Sequence, residues 1–294
     1  MERVAVTGGN GTLGRAVLQQ LHDEGYETVN VNRGRRDESI ADGYVRADLT
    51  DPGDVYGALA RADADAVAHL GMVPTPETTP EHVTFESNAL SPFLVLRAAA
   101  ALGVESVCLA SSLSAIGGGF EPDPVDVDYL PVDELHPLSP TTPYGLGKQV
   151  LEVVGDGFGR RDAPETVTSL RFPWVTSEQA MRETFLDPDR DLEAIRASGN
   201  FHTARNTLFA YVALPDAARA VRRALTSGHS GHERVWVVAD DTTTETPSAE
   251  VTERVYGAAD VRADLDGYRS LVSNAKARDL FGWAPEVSWR DLSR

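Results

Sequence analysis

A tyrosine and a lysine four residues apart are the side chains of this sequence best suited to chemistry. Tyr144 and Lys148 lie in the segment PYGLGK, which begins at Pro143. If this segment is helical, the i, i+4 spacing places the phenol and the ammonium group on one face. A free phenol has a pKa of about 10, and an adjacent cation lowers it. We therefore expect Tyr144 to exchange a proton with the substrate and Lys148 to assist it. Lys148 and Lys276 are the only lysines in the chain, and every other residue with a permanently basic side chain is arginine.

Three serines follow a predicted strand over residues 104–110 and form a second group of interest. They are Ser111, Ser112 and Ser114. Ligands bind in α/β sheets at the carboxyl ends of the parallel strands, so a hydroxyl there can contact the substrate. One of these serines is expected to hold the substrate oxygen beside Tyr144, and the alternative is a serine-rich turn.

A glycine-rich loop links the first predicted strand to the first predicted helix. It reads TGGNGTLG, and Gly8, Gly11 and Gly14 are spaced as G-x-x-G-x-x-G. The first glycine permits a tight turn, the second lets the backbone approach a diphosphate, and the third lets helix and strand pack closely. The free N–H groups at the helix start then bind the diphosphate of a dinucleotide. The loop residues assigned to this cofactor are Gly8, Asn10, Gly11, Thr12, Leu13 and Gly14.

The end of the second predicted strand carries the preference between NAD and NADP. An acid at this position binds the ribose 2′-hydroxyl of NAD, whereas arginine accommodates the 2′-phosphate of NADP. Here Asn32 is followed by a basic stretch that includes Arg33 and Arg36. We therefore expect these three residues to contact the cofactor and NADP to be preferred, with NAD possible. The alternative is that the arginines only balance Asp37 and Glu38.

Asp48 and Leu49 come after the third predicted strand, where they are placed to hold the adenine end of the cofactor. The alternative role for Asp48 is to cap the next helix, which begins near Asp51-Pro52. The two roles are compatible.

The fold that positions these residues is predicted to be α/β. Short apolar strands alternate with helix-length segments, which is typical of a doubly wound parallel Rossmann sheet with helices on both faces. Residues 117–143 read as a long loop over the active site, and residues 173–206 show weak periodicity. The predicted strands cover residues 3–7, 28–32, 44–47, 64–69, 104–110, 166–172 and 234–239, and the predicted helices cover 13–24, 92–102, 144–158 and 215–225.

Composition restricts the partners of the chain. Its 294 residues carry 45 acidic and 27 basic side chains, a formal charge of −18, which disfavours nucleic acid. The acidic surface with few lysines resembles proteins of cells with molar internal salt, where charge repulsion is screened. Cys108 is the single cysteine, so no disulfide within the chain is expected. The seven histidines lack metal-ligand spacing. We expect a cytoplasmic protein without a metal or a membrane anchor.

The ordered motifs resemble an extended short-chain dehydrogenase/reductase of the NAD-dependent epimerase/dehydratase type. The resemblance covers essentially the whole chain. The matching segments are TGGNGTLG at Thr7, AD at Ala47, AHLG at Ala68, Asn88, ASS at Ala110, PYGLGK at Pro143, LRFPWV at Leu170, FAYVALPDAARAV at Phe209 and FGWAPEVSW at Phe281.

This resemblance implies roles for individual residues. Ser112 matches the substrate-binding hydroxyl, with Ser111 as the alternative, and Ser114 lies beside it. Tyr144 matches the proton donor and acceptor, with Lys148 as its partner. Asn88 matches an asparagine that organises the catalytic site. The cofactor would also contact Leu70, Gly71, Ala110 and Pro173, besides Tyr144 and Lys148.

The resemblance also implies a division into a Rossmann domain and a small C-terminal substrate lobe. Residues 1–172, completed by about 207–239, would form the Rossmann domain, and residues 173–206 and 240–294 the lobe. Trp174 and His202 are candidate walls of the substrate pocket or members of the lobe core. The arginines near this lobe could form an anion site, although ordinary ion pairing is favoured for most of them; they are Arg171, Arg182, Arg196 and Arg205.

The implied activity is NAD(P)-dependent oxidation of a sugar or sugar derivative. The short segment after residue 172 favours a simple aldose, uronate or sugar phosphate, oxidised at the anomeric hydroxyl with Tyr144 as base. One alternative is a nucleotide-sugar epimerase or dehydratase with tightly bound NAD. A second is a non-catalytic dinucleotide-sensing regulator. Members of the family often form dimers through two paired helices, so a homodimer or homotetramer is expected.

Overall fold

The structure is a computed structural model that describes residues 1–186 and 189–292. A sheet of seven parallel strands forms its centre, in the spatial order β10-β7-β5-β4-β1-β2-β3. The strands are β1 (Arg3–Thr7), β2 (Glu27–Asn32), β3 (Gly43–Arg46), β4 (Ala66–His69), β5 (Ser106–Ser112), β7 (Thr166–Phe172) and β10 (Gly231–Trp236).

Five long helices cover the two faces of this sheet. Alternate residues of a strand enter opposite cores: Val4 and Val6 belong to one buried cluster, and Ala5 belongs to the other. The Rossmann-type α/β architecture predicted from the sequence is therefore present. The helices are α1 (Thr12–Asp23), α2 (Pro52–Ala62), α3 (Glu81–Leu102), α4 (Pro143–Phe158) and α8 (Leu214–Leu225).

Local capping explains where α2 and α4 begin. The Asp51 side chain accepts a hydrogen bond from the Asp54 N–H at the start of α2. The Thr142 hydroxyl accepts one from the Gly145 N–H at the start of α4, over 3.3 Å. Each helix has proline at its first position, which is favourable because that N–H has no partner within the helix.

Helix α3 is twice as long as the sequence indicated. It begins at Glu81 rather than at Pro92 and ends before Gly103, which has φ 76°. The sequence analysis predicted only the strongly apolar part of this helix, residues 92–102. In the structure Pro92 lies inside the helix, where its missing N–H removes only the bond to the carbonyl of residue 88.

A smaller lobe stands beside the carboxyl ends of β5 and β7, and its buried side chains form separate clusters from the sheet cores. The last strand of the main sheet also lies earlier than expected, at residues 231–236 instead of 234–239. The remaining elements are β6 (Tyr129–Leu130), β8 (Trp174–Thr176), α5 (Glu178–Met181), α6 (Leu192–Ala197), α7 (Phe201–Asn206), β9 (Tyr211–Ala213), α9 (Ser248–Val255), β11 (Asp260–Val261) and α10 (Ala275–Phe281).

The C-terminal segment does not stay within this lobe. Ala277 and Phe281 of α10, and Trp283 after it, belong to the same buried cluster as Val4 of β1. Residues 275–283 therefore return to the sheet core, whereas the sequence assigned all of 240–294 to the lobe.

Among the residues that the structure describes, no helix is both long enough and apolar enough to cross a membrane.

Candidate active site

A cleft of about 1380 Å³ opens at the carboxyl ends of β1, β4, β5 and β7. Chain order reverses between β1 and β4, which is the switch point where α/β sheets bind ligands. Most residues proposed from the sequence line this cleft. They are Gly8, Gly11, Thr12, Leu13, Gly14, Asn32, Arg33, Asp48, Leu49, Leu70, Gly71, Ala110, Ser112, Ser114, Tyr144, Lys148, Pro173, Trp174 and His202.

The glycine loop has the geometry that a dinucleotide diphosphate needs. Gly8 has φ +73°, and a Cβ there would lie 2.6 Å from the Gly71 Cα. A Cβ at Gly14 would lie 2.2 Å from the Gly8 carbonyl oxygen. Helix α1 begins after Gly11 without a side-chain cap, so its first N–H groups face the cleft and are free for an anion. The loop therefore fits the diphosphate of NAD or NADP.

Two of the proposed cofactor residues do not line the cleft. The Asn10 amide donates to the Arg35 carbonyl over 2.8 Å and accepts a hydrogen bond from Asn30 over 2.9 Å. The Arg36 guanidinium lies 3.2 Å from the Glu38 carboxylate and also donates to the Ala41 carbonyl. Both side chains hold the loop after β2 instead of lining the cleft, so their direct contact with the cofactor stays a prediction.

Arg33 and Asp48 lie together at the adenine end. Hydrogen bonds from the backbone and hydroxyl of Thr50 lower the pKa of the Asp48 carboxyl, and the nearby Arg33 cation adds to this effect. Asp51 caps helix α2, so Asp48 does not fill that alternative role. A carboxylate and a cation therefore flank the place for an adenosine ribose.

Tyr144 and Ser112 form the hydroxyl pair of the site. Both side chains line the cleft, and Tyr144 is buried. Its ring packs edge-on against Phe120 with centroids 5.1 Å apart. Burial raises the pKa of Tyr144 to about 12, and the Ser112 hydrogen bond opposes this rise. The sequence led us to expect a lowered pKa; this expectation is wrong for the protein as it stands, because desolvation outweighs the favourable contacts.

Lys148 lies beneath this pair. Its Nζ donates to the Ala110 carbonyl over 2.7 Å and stands 5.4 Å from the centre of the Tyr144 ring. The same Nζ contacts the Met72 sulfur. Burial lowers the pKa of Lys148 to about 7, while the Glu152 carboxylate opposes the shift. The i, i+4 spacing thus brings phenol and ammonium to one face of α4.

Ser111 does not share the position of Ser112. Its hydroxyl donates to Glu152 over 2.7 Å. The same carboxylate pairs with Arg171 over 2.7 Å in the core. Of the two alternatives for the substrate hydroxyl, Ser112 is therefore the one beside Tyr144.

Asn88 is buried behind the cleft rather than in its wall. Its side chain accepts from the Val73 N–H over 3.0 Å and donates to the Val73 carbonyl over 3.2 Å. A Cβ at Gly147 would approach the Asn88 Cβ to 2.8 Å. Asn88 therefore holds the segment after β4 and sets the close approach of α3 to α4, consistent with an organising role.

Within residues 1–186 and 189–292, no set of three or more histidine, cysteine, aspartate or glutamate side chains is arranged to hold a metal.

A family comparison agrees with this geometry. Residues 4–239 match the model of the NAD dependent epimerase/dehydratase family. The chain belongs to this family.

Related members of the family catalyse different reactions. A UDP-glucose 4-epimerase from Rhizobium leguminosarum bv. trifolii is 25% identical over 100% of this chain and 95% of that protein. An L-arabinose 1-dehydrogenase (NAD(P)(+)) from Haloferax volcanii is 27% identical over 67% of this chain and 76% of that protein. A putative UDP-glucose 4-epimerase from Methanocaldococcus jannaschii is 29% identical over 51% of this chain, and the match spans about half (48%) of that protein.

A solved structure extends the similarity to the fold. The structure of MoeE5 in complex with UDP-glucose and NAD superposes with a TM-score of 0.70 at 20% identity, covering 98% of this chain and 95% of that one.

The lobe side of the cleft in this epimerase/dehydratase protein holds residues that the sequence identified and one that it missed. Trp174 packs edge-on against Phe185 with centroids 5.4 Å apart and is 41% exposed. The His202 ring nitrogen Nε2 is 3.0 Å from the Glu121 carbonyl. Arg190 also lines the cleft and is buried. A lone arginine in a segment of weak periodicity gives no signal in the sequence.

The four arginines considered for an anion site do not line the cleft. Arg171 is held by Glu152 in the core, and Arg182 pairs with Glu178 over 2.9 Å. The Arg196 guanidinium stacks on the Phe201 ring at 4.6 Å. The ordinary ion pairing favoured from the sequence holds for the first two.

Proposed function

We propose that this family member oxidises a sugar or sugar derivative with NADP or NAD as hydride acceptor. The observation that carries the proposal is that Ser112, Tyr144 and Lys148 line the same cleft as the glycine loop, with the Lys148 ammonium 5.4 Å from the Tyr144 ring centre. A hydroxyl donor, a proton acceptor and a dinucleotide seat are the three parts that alcohol oxidation needs.

Each side chain has one task in this reaction. Ser112 holds the substrate oxygen, and Tyr144 as phenolate takes the hydroxyl proton. A bound nicotinamide would supply the acceptor for the hydride that leaves the same carbon. The Lys148 ammonium, fixed on the Ala110 carbonyl, stabilises the phenolate and would help to hold the cofactor ribose. An aldose oxidised at its anomeric carbon leaves as a lactone, and one proton reaches solvent.

The size of the lobe supports a small substrate. Between β7 and β9 the described chain has only strand β8 and short helical segments, none longer than six residues. Similarity to an L-arabinose 1-dehydrogenase supports the same class. We therefore propose an aldose, a uronate or a sugar phosphate.

The end of β2 supports NADP as the preferred cofactor. Asn32 and Arg33 line the cleft where the adenosine ribose would lie, and β2 ends in Asn32 rather than in the acid that binds the 2′-hydroxyl of NAD. Arg33 is exposed and lies near the Asp48 carboxylate, and its guanidinium could also bind a 2′-phosphate.

A nucleotide-sugar epimerase is the second candidate. Its support is the 25% identity to a UDP-glucose 4-epimerase along the whole chain. In such an enzyme the hydride returns to the substrate, so NAD stays bound and no reduced cofactor accumulates.

The test is absorbance of reduced cofactor in high-salt buffer. Purified protein is given NADP or NAD with a panel of pentoses, hexoses, uronates and hexose phosphates, and Tyr144→Phe is the control. Net reduction with one sugar, lost by about 10²–10⁴-fold in the variant, supports the dehydrogenase. NADP turnover should exceed NAD turnover, and Arg33→Gln should remove that preference. Silence across the panel, with dinucleotide released on denaturation, would replace the proposal by the epimerase.

A further inference from the structure

Arg171 and Arg190 are the two buried arginines in the part of the chain that the structure describes. Their environments differ sharply. Arg171 makes two hydrogen bonds of 2.8 and 2.7 Å to the Glu152 carboxylate. Buried charges are normally paired in this way because removing an ion from water is costly. Arg190 should therefore also face an anion.

The guanidinium of Arg190 is held at one edge only. Its Nε donates to the Thr243 carbonyl over 3.0 Å, and its centre lies 5.2 Å from the Phe185 ring centroid. The main chain of Arg190 is fixed as well: its carbonyl accepts from the Glu245 N–H and the Thr244 hydroxyl over 2.9 and 2.6 Å. The side chain is thus oriented by rigid contacts, and its remaining N–H groups make no hydrogen bond within the described chain.

No carboxylate pairs with this cation in the described structure. Glu245 accepts a hydrogen bond from the Arg190 backbone N–H over 3.2 Å and is exposed. The buried cleft carboxylate, Glu121, is occupied by Thr141 and Thr142. Burial accordingly lowers the pKa of Arg190, with Glu245 only partly opposing it. In a chain with 45 acidic residues, an unpaired buried arginine is an exception that needs a reason.

The arginine stands among groups suited to a sugar. It lines the cleft together with residues that carry hydroxyl, amide or imidazole groups. These are Thr184, Asn200, His202, Thr203, Thr207 and Thr243. Tyr144 and Ser112 line the same cleft. A polyhydroxylated ligand with one anionic group would satisfy both the hydroxyl-binding side chains and the cation.

We propose that Arg190 determines substrate specificity by binding a carboxylate or phosphate on the sugar. Its planar guanidinium with free N–H groups matches either group in a bidentate manner. The inference rests on the proposed oxidation. It narrows the preferred substrates of that reaction to anionic sugars and so excludes neutral aldoses from them.

The test compares matched pairs that differ in the anionic group. D-glucuronate is compared with D-glucose, D-galacturonate with D-galactose, and glucose 6-phosphate with glucose, all at one salt concentration. The variants are Arg190→Gln and, as a control with the same charge loss, Arg196→Gln, which lies exposed on α6 outside the cleft. Arg190→Lys is included because it retains the cation if the glutamine variant fails to fold.

We expect the wild-type enzyme to prefer the anionic member of at least one pair by about tenfold or more in kcat/KM. Arg190→Gln should lose that preference while neutral-sugar turnover stays within about threefold. Arg196→Gln should keep it, and Arg190→Lys should retain part of it. A uronate preference identifies a carboxylate and a hexose phosphate preference identifies a phosphate. Equal turnover of charged and neutral sugars by the wild-type enzyme would overturn the assignment. An equal loss of the preference in Arg190→Gln and Arg196→Gln would do the same.

Calorimetric titration separates this inference from the proposed oxidation. If no sugar is oxidised, glucuronate, glucose 6-phosphate and UDP-glucuronate are titrated into protein saturated with NADP or NAD. If glucuronate or glucose 6-phosphate binds and the binding is lost in Arg190→Gln, the role of Arg190 is supported and the proposed oxidation is wrong. Binding of UDP-glucuronate alone, or of none, overturns the assignment to a carboxylate or phosphate carried by a simple sugar.

Discussion

At the scale of single residues, the ammonium of Lys148 connects catalysis to stability. It is only 3% exposed and its hydrogen-bond acceptors are a carbonyl and a thioether. Neither partner carries a full negative charge. The proposed catalytic lysine therefore lies in a place where folding alone favours the neutral amine.

This conflict predicts a pH-dependent gain of stability in Lys148→Met. The pKa of Lys148 falls from 10.5 to about 7 in the folded state. Below about pH 7 both states are protonated and the folded state bears the full cost of burying the charge. Between these pKa values the unfolded chain binds the extra proton, so wild-type stability rises with pH. We expect the variant to gain up to about 5 kcal/mol in free energy of unfolding near pH 6.

Urea unfolding from pH 6 to pH 10 in high salt measures this difference. It should shrink steadily toward pH 10, while the variant lacks activity at every pH. A constant difference would mean that Lys148 is not buried as a destabilising cation. Methionine is the suitable replacement because it keeps an unbranched apolar stem without the charge.

Residue types reveal the local chemistry of this site but not its longer-range partners. Tyr144 and Lys148 were recognisable because their spacing is fixed by one helix turn, and Gly8, Gly11 and Gly14 because one loop contains them. Arg190 was not recognisable in this way. Its significance lies in the absence of a carboxylate partner around it, and the residues around it come from distant parts of the sequence. Arg36 was expected at the cofactor because its proximity to Asn32 was visible, whereas its pairing with Glu38 depends on how the loop turns back.

At the scale of elements, Glu152 ties helix α4 to three strands. It accepts from Ser111 on β5, pairs with Arg171 on β7, and lies 3.0 Å from Arg234 on β10. Glu152 is fully buried, one turn after Lys148. Glu152 is therefore the fully buried charged link between α4 and the sheet, beside the partly exposed link that Asp156 makes to β10.

Replacing Glu152 by glutamine should destabilise the protein by about 3–5 kcal/mol, because it leaves buried arginine charge uncompensated. Asp156→Asn is the matched control: it removes the same charge one turn later, at a side chain that is 33% exposed. Its cost should stay near or below about 1 kcal/mol. Urea denaturation at constant salt compares them, and similar losses in both variants would contradict the dependence on burial.

Apolar periodicity predicted which segments of the sheet domain are helices and which are strands. It predicted less well where each element ends and which elements form the lobe. All seven strands of the sheet were predicted, because most of them are short apolar segments bounded by turn residues or helices. Helix α3 was cut short at Pro92, a proline that the tertiary packing tolerates. The short helices α6 and α7 gave no periodic signal because each has only six residues.

At the scale of the whole molecule, the paired helices α3 and α4 leave apolar side chains in solvent. Phe93 on α3 is 37% exposed and Val153 on α4 is 58% exposed. Helix α3 carries apolar residues around its whole circumference, which is typical of a helix covered on all sides. We propose that a second copy of the chain covers this face.

The variant Val153→Glu should therefore shift the protein from dimer to monomer, because it places a charge in the apolar contact of both copies. Val261→Glu is the control, since Val261 is 52% exposed on β11, far along the chain from these helices. Light scattering coupled to gel filtration gives the mass. A monomeric wild-type protein, or loss of association in both variants, would contradict this interface.

The net charge of −18 predicts that salt stabilises the folded protein. Carboxylates repel one another over a Debye length of about 10 Å at 0.1 M salt, but over only about 3 Å at 1 M. Folding concentrates these charges, so screening should raise the free energy of unfolding. We expect urea midpoints to rise steeply with NaCl and to gain most of their increase by about 1 M, where screening is nearly complete. A neutral osmolyte at equal osmolality should give a smaller increase. A midpoint that does not change with NaCl, or that rises equally in the osmolyte, would show that excess acidity does not limit the stability of this fold.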